Sequence, residues 1–451
     1  MQSQASSQVL RAASSSILAV FILFAGVLIS LAPAPAGAAT VIVPNSPVGS
    51  QLNWLLSIRQ LPLSTPVITA HFDATSLAQA PPAQLNAGLA TLGAGVPKLI
   101  GLSDVSPTSL HAVVTFETGR WDVSLGVDAT GLIDTLLLVP DDTVPSSWAG
   151  VDTQLHAIAP GVGFLAAKVN GNGTCTAVHS INPTTARPLG SLFKVFILGA
   201  LANAIRERAI SWNQKVTITA ANKTGGSGTL QRVPDGTQMT VQQVAATTIA
   251  VSDNTGADVL LQLVGRAAVE AQVRQWVARP SLDIPFLTPK ELFALHYSDY
   301  PALAKHYRSL DAANRAAYLS STVDAVSPST EVAASSPRDI NTIEWFATPA
   351  DLCTSFSGLA TLEKGPSLSP LNAIMSTNSG GIDLSATTWP RIWFKGGSEP
   401  GVLTLGYLAR DNRGQTFVVI AFTENPVAAL SAASTLQLLA VEQGAFELLH
   451  R

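Results

Sequence analysis

The sequence predicts an α+β protein of two domains, a small one followed by a larger α/β sandwich. The chain has 451 residues, which is too long for one ordinary hydrophobic core. Residues 39–150 carry helical patterns first and strand patterns afterwards. Residues 151–451 carry strand patterns at both ends and helical patterns between them. An α+β sandwich forms when strands from both ends of a domain join in one sheet and helices pack on that sheet.

An export signal is predicted at residues 1–38. A continuous apolar stretch covers Ile17–Leu31, and two prolines separate it from the small residues Ala36–Ala38. The stretch is short for a bilayer span, and small residues at this distance are typical of a signal peptidase site. We therefore expect a secreted, periplasmic or cell-envelope protein without a stable membrane span after cleavage. An uncleaved membrane anchor is the alternative.

The first domain is predicted from helical patterns that precede β-rich runs. The segments 50–58 and 72–92 have apolar residues at helical spacing, the second around a Pro-Pro break. Three β-rich runs follow at 111–116, 121–127 and 132–139, with glycine-containing turns between them. This order resembles the cone-shaped fold of the nuclear transport factor 2 (NTF2) and ketosteroid isomerase group. The resemblance implies architecture only, because a fold does not carry a function by itself.

The second domain begins and ends with predicted strands. Residues 162–169 and 175–181 form a hairpin around an Asn-Gly-Asn-Gly turn. Three further strands are predicted to start near Arg391, Val402 and Thr416, and the amphipathic segment 427–449 predicts a long helix over one face of the sheet.

Composition excludes two classes of partner. The sequence has 26 Lys and Arg residues and 30 Asp and Glu residues. The net charge of -4 therefore gives no reason to expect a positively charged surface that binds nucleic acid. The seven histidines are scattered without metal-binding spacing, so we expect no metal and no cofactor. The two cysteines, Cys175 and Cys353, either form a disulfide outside the cytosol or remain unpaired core residues; the sequence leaves both open.

Ser191 and Lys194 form the candidate catalytic pair. A serine hydroxyl needs a nearby base to act as a nucleophile at neutral pH. Gly190 permits a sharp turn before Ser191, and the apolar residues that follow predict a buried helix on which positions i and i+3 share a face. Burial lowers the pKa of a lysine towards a value that suits a base.

Two later motifs strengthen this assignment. Ser252-Asp253-Asn254 lies downstream, and Lys395-Gly396-Gly397 lies at the end of a predicted strand. In this order the three motifs resemble the Ser-x-x-Lys, Ser-Asp-Asn and Lys-Thr-Gly signatures of penicillin-binding proteins and active-site-serine β-lactamases. The resemblance covers residues 151–451 and implies the β-lactamase/D,D-peptidase fold.

The resemblance implies a role for each motif. Ser191 would be acylated, Lys194 would act as its base or proton relay, and Ser252 would pass a proton to the leaving nitrogen. Four residues would bind the substrate: Asn254, Lys395, Gly397 and Ser398. Asn254 would hold the side-chain amide of the substrate, and Lys395 would attract its carboxylate from the strand that Gly397 continues. The N–H of Ser398 would complete an oxyanion hole with that of Ser191.

The chain departs from these signatures in two ways. Gly396 replaces the residue that carries a hydroxyl group in the third motif, and Ser398 is the candidate to replace that hydroxyl. No Glu-x-x-Leu-Asn segment is found to position the water for deacylation. The candidates for that task are Glu291 and Glu344, with simpler alternatives: Glu291 suits the first turn of a helix, and Glu344 a solvent-facing position.

The predicted function is that of an exported serine hydrolase acting on a β-lactam or related amide or ester. The alternatives are a D,D-peptidase or esterase acting on a peptidoglycan-like substrate, and a non-catalytic binding module. The whole chain, with its isomerase-like first domain and segments such as 283–293 and 345–353, resembles two-domain hydrolases related to the one found in clavulanic acid gene clusters. That group shares the β-lactamase fold without uniform activity.

Overall fold

The computed structural model describes residues 41–90, 92–93, 95–103, 105–117, 119–140, 144–326, 336–382, 384–430 and 432–451. The export signal predicted at 1–38 lies outside these residues. The chain divides into two compact units between residues 141 and 142, earlier than the predicted second-domain start at 151. None of the described helices combines the length and the apolar character needed to cross a membrane.

The first unit combines short helices with an antiparallel sheet around one apolar core. Inward side chains alternate along the second strand, where Leu110, Ala112 and Val114 are buried. The helices are α1 (Pro47–Ser57), α2 (Thr65–Thr69), α3 (Ala74–Gln79) and α4 (Pro82–Ala90). The strands, adjacent in sequence order, are β1 (Lys98–Ser103), β2 (Ser109–Phe116), β3 (Gly119–Val127) and β4 (Ile133–Pro140).

Strand β1 was not predicted from the sequence. It is an edge strand, and its register against β2 shifts between Leu99 and Gly101. Such an irregularity breaks the period-2 alternation by which a strand is recognised. The three predicted strands therefore gain a fourth at one edge of the sheet.

The second unit is built on a five-stranded antiparallel sheet. The strands of this sheet are β5 (Gly161–Val169), β6 (Cys175–Ile181), β11 (Arg391–Glu399), β12 (Val402–Arg410) and β13 (Thr416–Glu424). Their order across the sheet is β11-β12-β13-β5-β6. Two short pairs lie outside it: β7 (Arg187–Pro188) with β10 (Phe346–Ala347), and β8 (Lys215–Ile218) with β9 (Thr237–Thr240).

Helices cover both faces of this sheet, which is the predicted sandwich. One apolar core joins the sheet to α5 (Trp148–Ile158) and α15 (Ala432–His450). The other core contains the remaining helices: α6 (Lys194–Arg206), α7 (Val241–Ala250), α8 (Asn254–Val264), α9 (Arg266–Trp276), α10 (Pro289–Tyr297), α11 (Ala302–Ser309), α12 (Ala312–Tyr318), α13 (Pro349–Leu362) and α14 (Pro370–Met375).

A disulfide joins Cys175 on β6 to Cys353 on α13. The sequence had left this pairing open, because residues separated by 178 positions become neighbours only in the folded domain. The bond fastens an edge strand of the sheet to a helix on its face.

Candidate functional site

Ser191 lies on a tight turn at the start of α6. Residues Gly190–Phe193 form a 3₁₀ turn, and the α-helix begins at Lys194, so Ser191 precedes the helix that it was expected to open. Side chains at i and i+3 are almost eclipsed in a 3₁₀ turn. The predicted neighbours therefore meet, with Lys194 Nζ 2.7 Å from Ser191 Oγ.

Three hydrogen bonds from distant segments hold this turn. The backbone N–H of Leu189 donates to Trp345 O at 2.9 Å. The hydroxyl of Thr404 donates to Leu189 O at 2.7 Å, and the N–H of Gly190 donates to Glu344 Oε1 at 2.6 Å. Buried backbone groups with such partners keep Ser191 in one position.

Two glycines let strand β11 approach the turn closely. A Cβ atom at Gly397 would lie 2.2 Å from Leu189 O and 2.6 Å from Ser191 N. One at Gly190, whose φ is +51°, would lie 2.9 Å from Ser398 N. A side chain at either position would separate the two backbones. Their contact brings together the segments that carry the N–H groups of Ser191 and Ser398, the expected oxyanion donors.

Lys194 is fully buried among polar partners. Its Nζ donates to Asn254 Oδ1 at 2.7 Å and lies 3.3 Å from Ser252 Oγ, in addition to its contact with Ser191. Burial lowers the pKa of Lys194 well below its ordinary value of 10.5, and the positive charge of Lys395 lowers it further. A neutral amine has two N–H donors and one lone pair, which suits three partners of this kind.

Ser252 connects the two lysines of the site. Its Oγ lies 3.0 Å from Lys395 Nζ and 3.3 Å from Lys194 Nζ. Ser252 also adopts a φ of +57°, in the left-handed region that non-glycine residues rarely occupy. Strained conformations of this kind persist where the surroundings enforce them, often at functional sites.

Asp253 anchors the second motif and was not singled out from the sequence. It is fully buried and caps α8, where its Oδ1 accepts from Gly256 N at 2.8 Å. Its Oδ2 accepts from Thr229 N at 2.6 Å and from Leu230 N at 2.8 Å. Three N–H donors stabilise this carboxylate and hold the turn that presents Ser252 and Asn254.

The strand β11 presents its residues on two faces. Lys395 is buried beside Ser252, and burial lowers the pKa of Lys395 from 10.5 to about 7. Gly396 and Ser398 lie on the other face, and Ser398 is exposed. A Cβ atom at Gly396 would lie 2.9 Å from the ring of Phe394. The aromatic ring explains the absence of a larger residue at position 396. Ser398 is therefore the residue that carries a hydroxyl group on that face.

Glu291 lies in a helix-capping arrangement. Its Oε2 accepts from Thr288 N at 2.7 Å, and its backbone N–H donates to the hydroxyl of Thr288 at 3.1 Å. Its Oε1 accepts from Arg266 at 2.6 Å. Both carboxylate oxygens therefore have partners in the first turn of α10 and on α9, as the simpler interpretation of Glu291 expected.

Glu344 is buried, so the expectation that it faces solvent is wrong. Its Oε1 accepts from Gly190 N at 2.6 Å and its Oε2 from Trp345 N at 2.8 Å. Burial raises the pKa of Glu344 from 4.5 to about 8, although the two donors and Lys194 act in the opposite direction. The sequence does mark this position, because Glu344 directly precedes the run Trp345-Phe-Ala. The Phe and Ala of this run pair with the short strand that leads into the Ser191 turn.

A further carboxyl group, that of the partly buried Glu399, follows Ser398 on β11. Burial raises its pKa well above the ordinary value, and the negative charge of Glu344 adds to this shift. Its Oε2 lies 3.7 Å from His296 Nδ1. Sequence reasoning missed Glu399 because a glutamate at a strand end usually faces solvent.

Comparisons with known proteins place the larger unit. Residues 162–442 match the model of the β-lactamase enzyme family, and residues 42–133 match the model of the N-terminal region of the ORF 12 gene product. The β-lactamase VEB-1 of Pseudomonas aeruginosa is 36% identical over 81 residues, which are 17% of this chain and 27% of that protein. The chain thus matches about a quarter of the length of this relative.

Two solved structures are also similar. A β-lactamase from Sphaerobacter thermophilus has 20% identity and a TM-score of 0.46, over 67% of this chain and 97% of its own. A β-lactamase from Chitinophaga pinensis has 18% identity and a TM-score of 0.46, over 67% and 98%. The family model is matched by more than half of the chain and covers β5 to α15, with all three motifs. The chain therefore belongs to the β-lactamase enzyme family.

Proposed function

We propose that the chain is an active-site-serine hydrolase that forms an acyl-enzyme at Ser191 with a β-lactam or a related amide or ester. The observation that carries this proposal is the contact between the buried amine of Lys194 and the hydroxyl of Ser191 at 2.7 Å. Burial lowers the pKa of Lys194 and so favours its neutral form, which can accept the serine proton.

Acylation follows from this arrangement. As Ser191 Oγ bonds to the substrate carbonyl carbon, its proton passes to Lys194 Nζ. When the carbon–nitrogen bond breaks, Lys194 returns a proton to the leaving nitrogen through Ser252 Oγ, which lies near both lysines. The N–H groups of Ser191 and Ser398 would stabilise the oxyanion. Lys395, when protonated, would attract the substrate carboxylate.

We assign deacylation to Lys194 as well. After the leaving nitrogen has taken its proton, Lys194 is neutral again and lies beside the ester oxygen of acylated Ser191. It can then accept a proton from the attacking water and return it to Ser191 Oγ as the ester bond breaks, so that Ser191 leaves as the hydroxyl. Glu291 and Glu344 are less suited to this step, because each carboxyl oxygen accepts a hydrogen bond that lowers its affinity for a proton.

The test combines turnover with covalent labelling. Purified protein is incubated with a chromogenic cephalosporin and, separately, with a fluorescent penicillin. We expect labelling or turnover in the wild type and neither in Ser191→Ala, while the exposed Ser281→Ala behaves as the wild type. A stable label without turnover would indicate a peptidase-like acyl-enzyme. Identical behaviour of the wild type and Ser191→Ala would refute the proposal.

We also propose that the protein is exported. The predicted signal at residues 1–38 supports this, and so does the Cys175–Cys353 disulfide, since disulfides persist mainly outside the reducing cytosol. Mass spectrometry of protein recovered from the envelope or medium should find a new N-terminus near Ala39. A recovered protein that retains residues 1–38 would contradict cleavage.

A further inference from the structure

A cavity of about 440 Å³ lies at the end of the large sheet that is remote from Ser191. Its walls include the end of β5, the start of β11, the end of β12 and one face of α13. Arg391, the first residue of β11, lines it, whereas Ser398 near the end of the same strand belongs to the serine site. At the rise of a β-strand the two lie roughly 20 Å apart. The volume is that of a small-molecule site.

The walls of this cavity are fastened to each other. The Cys175–Cys353 disulfide joins β6 to α13 beside the cavity. The hydroxyl of Ser357 on α13 donates to Gly173 O at 2.6 Å, and both residues line the cavity. A ligand would therefore meet walls that are already in place, which lowers the entropic cost of binding.

Positive charge dominates the lining. Lys168, Lys364, Arg391 and Arg410 line the cavity, and none of the described lining residues is acidic. The chain as a whole carries a net charge of -4, so this concentration of cations is local. Like charges around one cavity repel each other unless an anion lies between them.

One of these four cations has a partner and three have none. Arg391 Nη2 lies 3.2 Å from Glu363 Oε2, just outside the cavity lining. Arg391 Nε has no hydrogen-bond partner in the described part of the chain. No carboxylate of the described residues forms an ion pair with the other three cations, which are exposed. Three positive charges thus remain uncompensated.

We propose that this cavity binds a small anion with two phosphate groups. Two phosphate groups carry about three to four negative charges near neutral pH, which matches the uncompensated cations. Lysine and arginine are the side chains that bind phosphate most strongly, and arginine does so through two parallel N–H donors. The proposal is independent of catalysis at Ser191.

Inorganic pyrophosphate is the probe. Isothermal titration calorimetry of the wild type at low salt should show binding of one equivalent, weakened by about 1 M salt through screening. Pyrophosphate should also raise the melting temperature. The double variant Lys364→Gln/Arg410→Gln should bind roughly 100-fold more weakly, because two charge-assisted contacts are lost.

Two controls locate the site. Lys305→Gln removes an exposed lysine elsewhere on the second unit and should leave the affinity unchanged. Lys395→Gln removes the cation of the serine site and should also retain binding. The proposal is overturned if the wild type does not bind pyrophosphate at low salt, if the double variant binds as the wild type does, or if Lys395→Gln abolishes binding.

Discussion

The ionisable groups around Ser191 are of two kinds, basic and acidic, and differ in what they contact. On one side, Lys194 and Lys395 are buried, contact Ser252, and have pKa values lowered by burial. On the other side, Glu344 and Glu399 have pKa values raised by burial, and Glu344 holds the N–H group that precedes the nucleophile. In both cases burial favours the neutral form. In the proposed mechanism the neutral amine acts as a base, whereas the carboxyl group of Glu344 binds backbone N–H groups.

A carboxyl group close to Ser191 therefore need not be the group that activates the deacylating water. A base must have a free electron pair directed at the proton that it accepts. Lys194 meets this requirement at Ser191, whereas the carboxyl group of Glu344 is directed at the backbone N–H groups of Gly190 and Trp345. Substitutions on the lysine side should therefore change the chemistry, and those on the carboxyl side the position of Ser191.

The largest effect is expected from Lys194→Met. The acylation rate should fall by roughly 10²- to 10⁴-fold, because the general base is lost, while the thermal stability is retained or increased by the loss of a buried amine. Stopped-flow labelling with a fluorescent penicillin and thermal denaturation measure the two quantities. The exposed Lys215→Met is the control. Acylation at the wild-type rate would remove Lys194 from the mechanism.

Glu344→Gln should affect both stability and acylation. One of the two N–H groups would face an amide NH₂ instead of an oxygen, at a cost of about 1–3 kcal/mol in the free energy of unfolding. A small displacement of Ser191 should slow acylation by roughly 10- to 100-fold, mainly in kcat. Labelling kinetics and urea denaturation provide the measurements, with the exposed Glu207→Gln as the control.

The same variant tests the alternative role of Glu344. If acylation keeps its rate and a stable acyl-enzyme accumulates in Glu344→Gln, then Glu344 activates the deacylating water and the contrast between the two sides is wrong.

The lysine side also predicts a pH dependence. Lys395, with a pKa of about 7, is protonated below pH 7 and loses its charge above it. The kcat/KM for a carboxylate-bearing substrate should therefore fall above pH 7, by up to about tenfold per pH unit. The methyl ester of the same substrate should show no such fall, since it carries no carboxylate. A parallel decline for both substrates would indicate that another group titrates.

Thr404→Val is expected to have the smallest effect. It removes the hydroxyl that donates to Leu189 O at 2.7 Å, at a cost of about 1 kcal/mol in unfolding free energy and a roughly two- to tenfold loss of acylation rate. Thr423→Val is the matched control, because it removes a buried hydroxyl that donates to Leu403 O at 2.9 Å on the same sheet. Equal losses of acylation in both variants would show that this contact has no special role in holding the nucleophile.

The parts of the fold that were predictable depend on contacts close in sequence. The β5–β6 hairpin and the β12–β13 hairpin follow from β-rich runs that flank turn residues. The Ser191 and Lys194 pair follows from their three-residue separation. Strand β1 was missed because its register shift removes the alternation, and α15 begins at Ala432, later than the predicted start near Val427.

Periodicity and short spacing are properties of neighbouring residues, so the sandwich, the order of the three motifs and the Ser191–Lys194 pair follow from the sequence. The pairing of Cys175 with Cys353 and the contact of Glu344 with Gly190 across 154 positions depend on the tertiary structure. So does the burial of Lys395 beside Ser252. Burial and long-range contact set the pKa of each group, and both arise only when distant segments pack together.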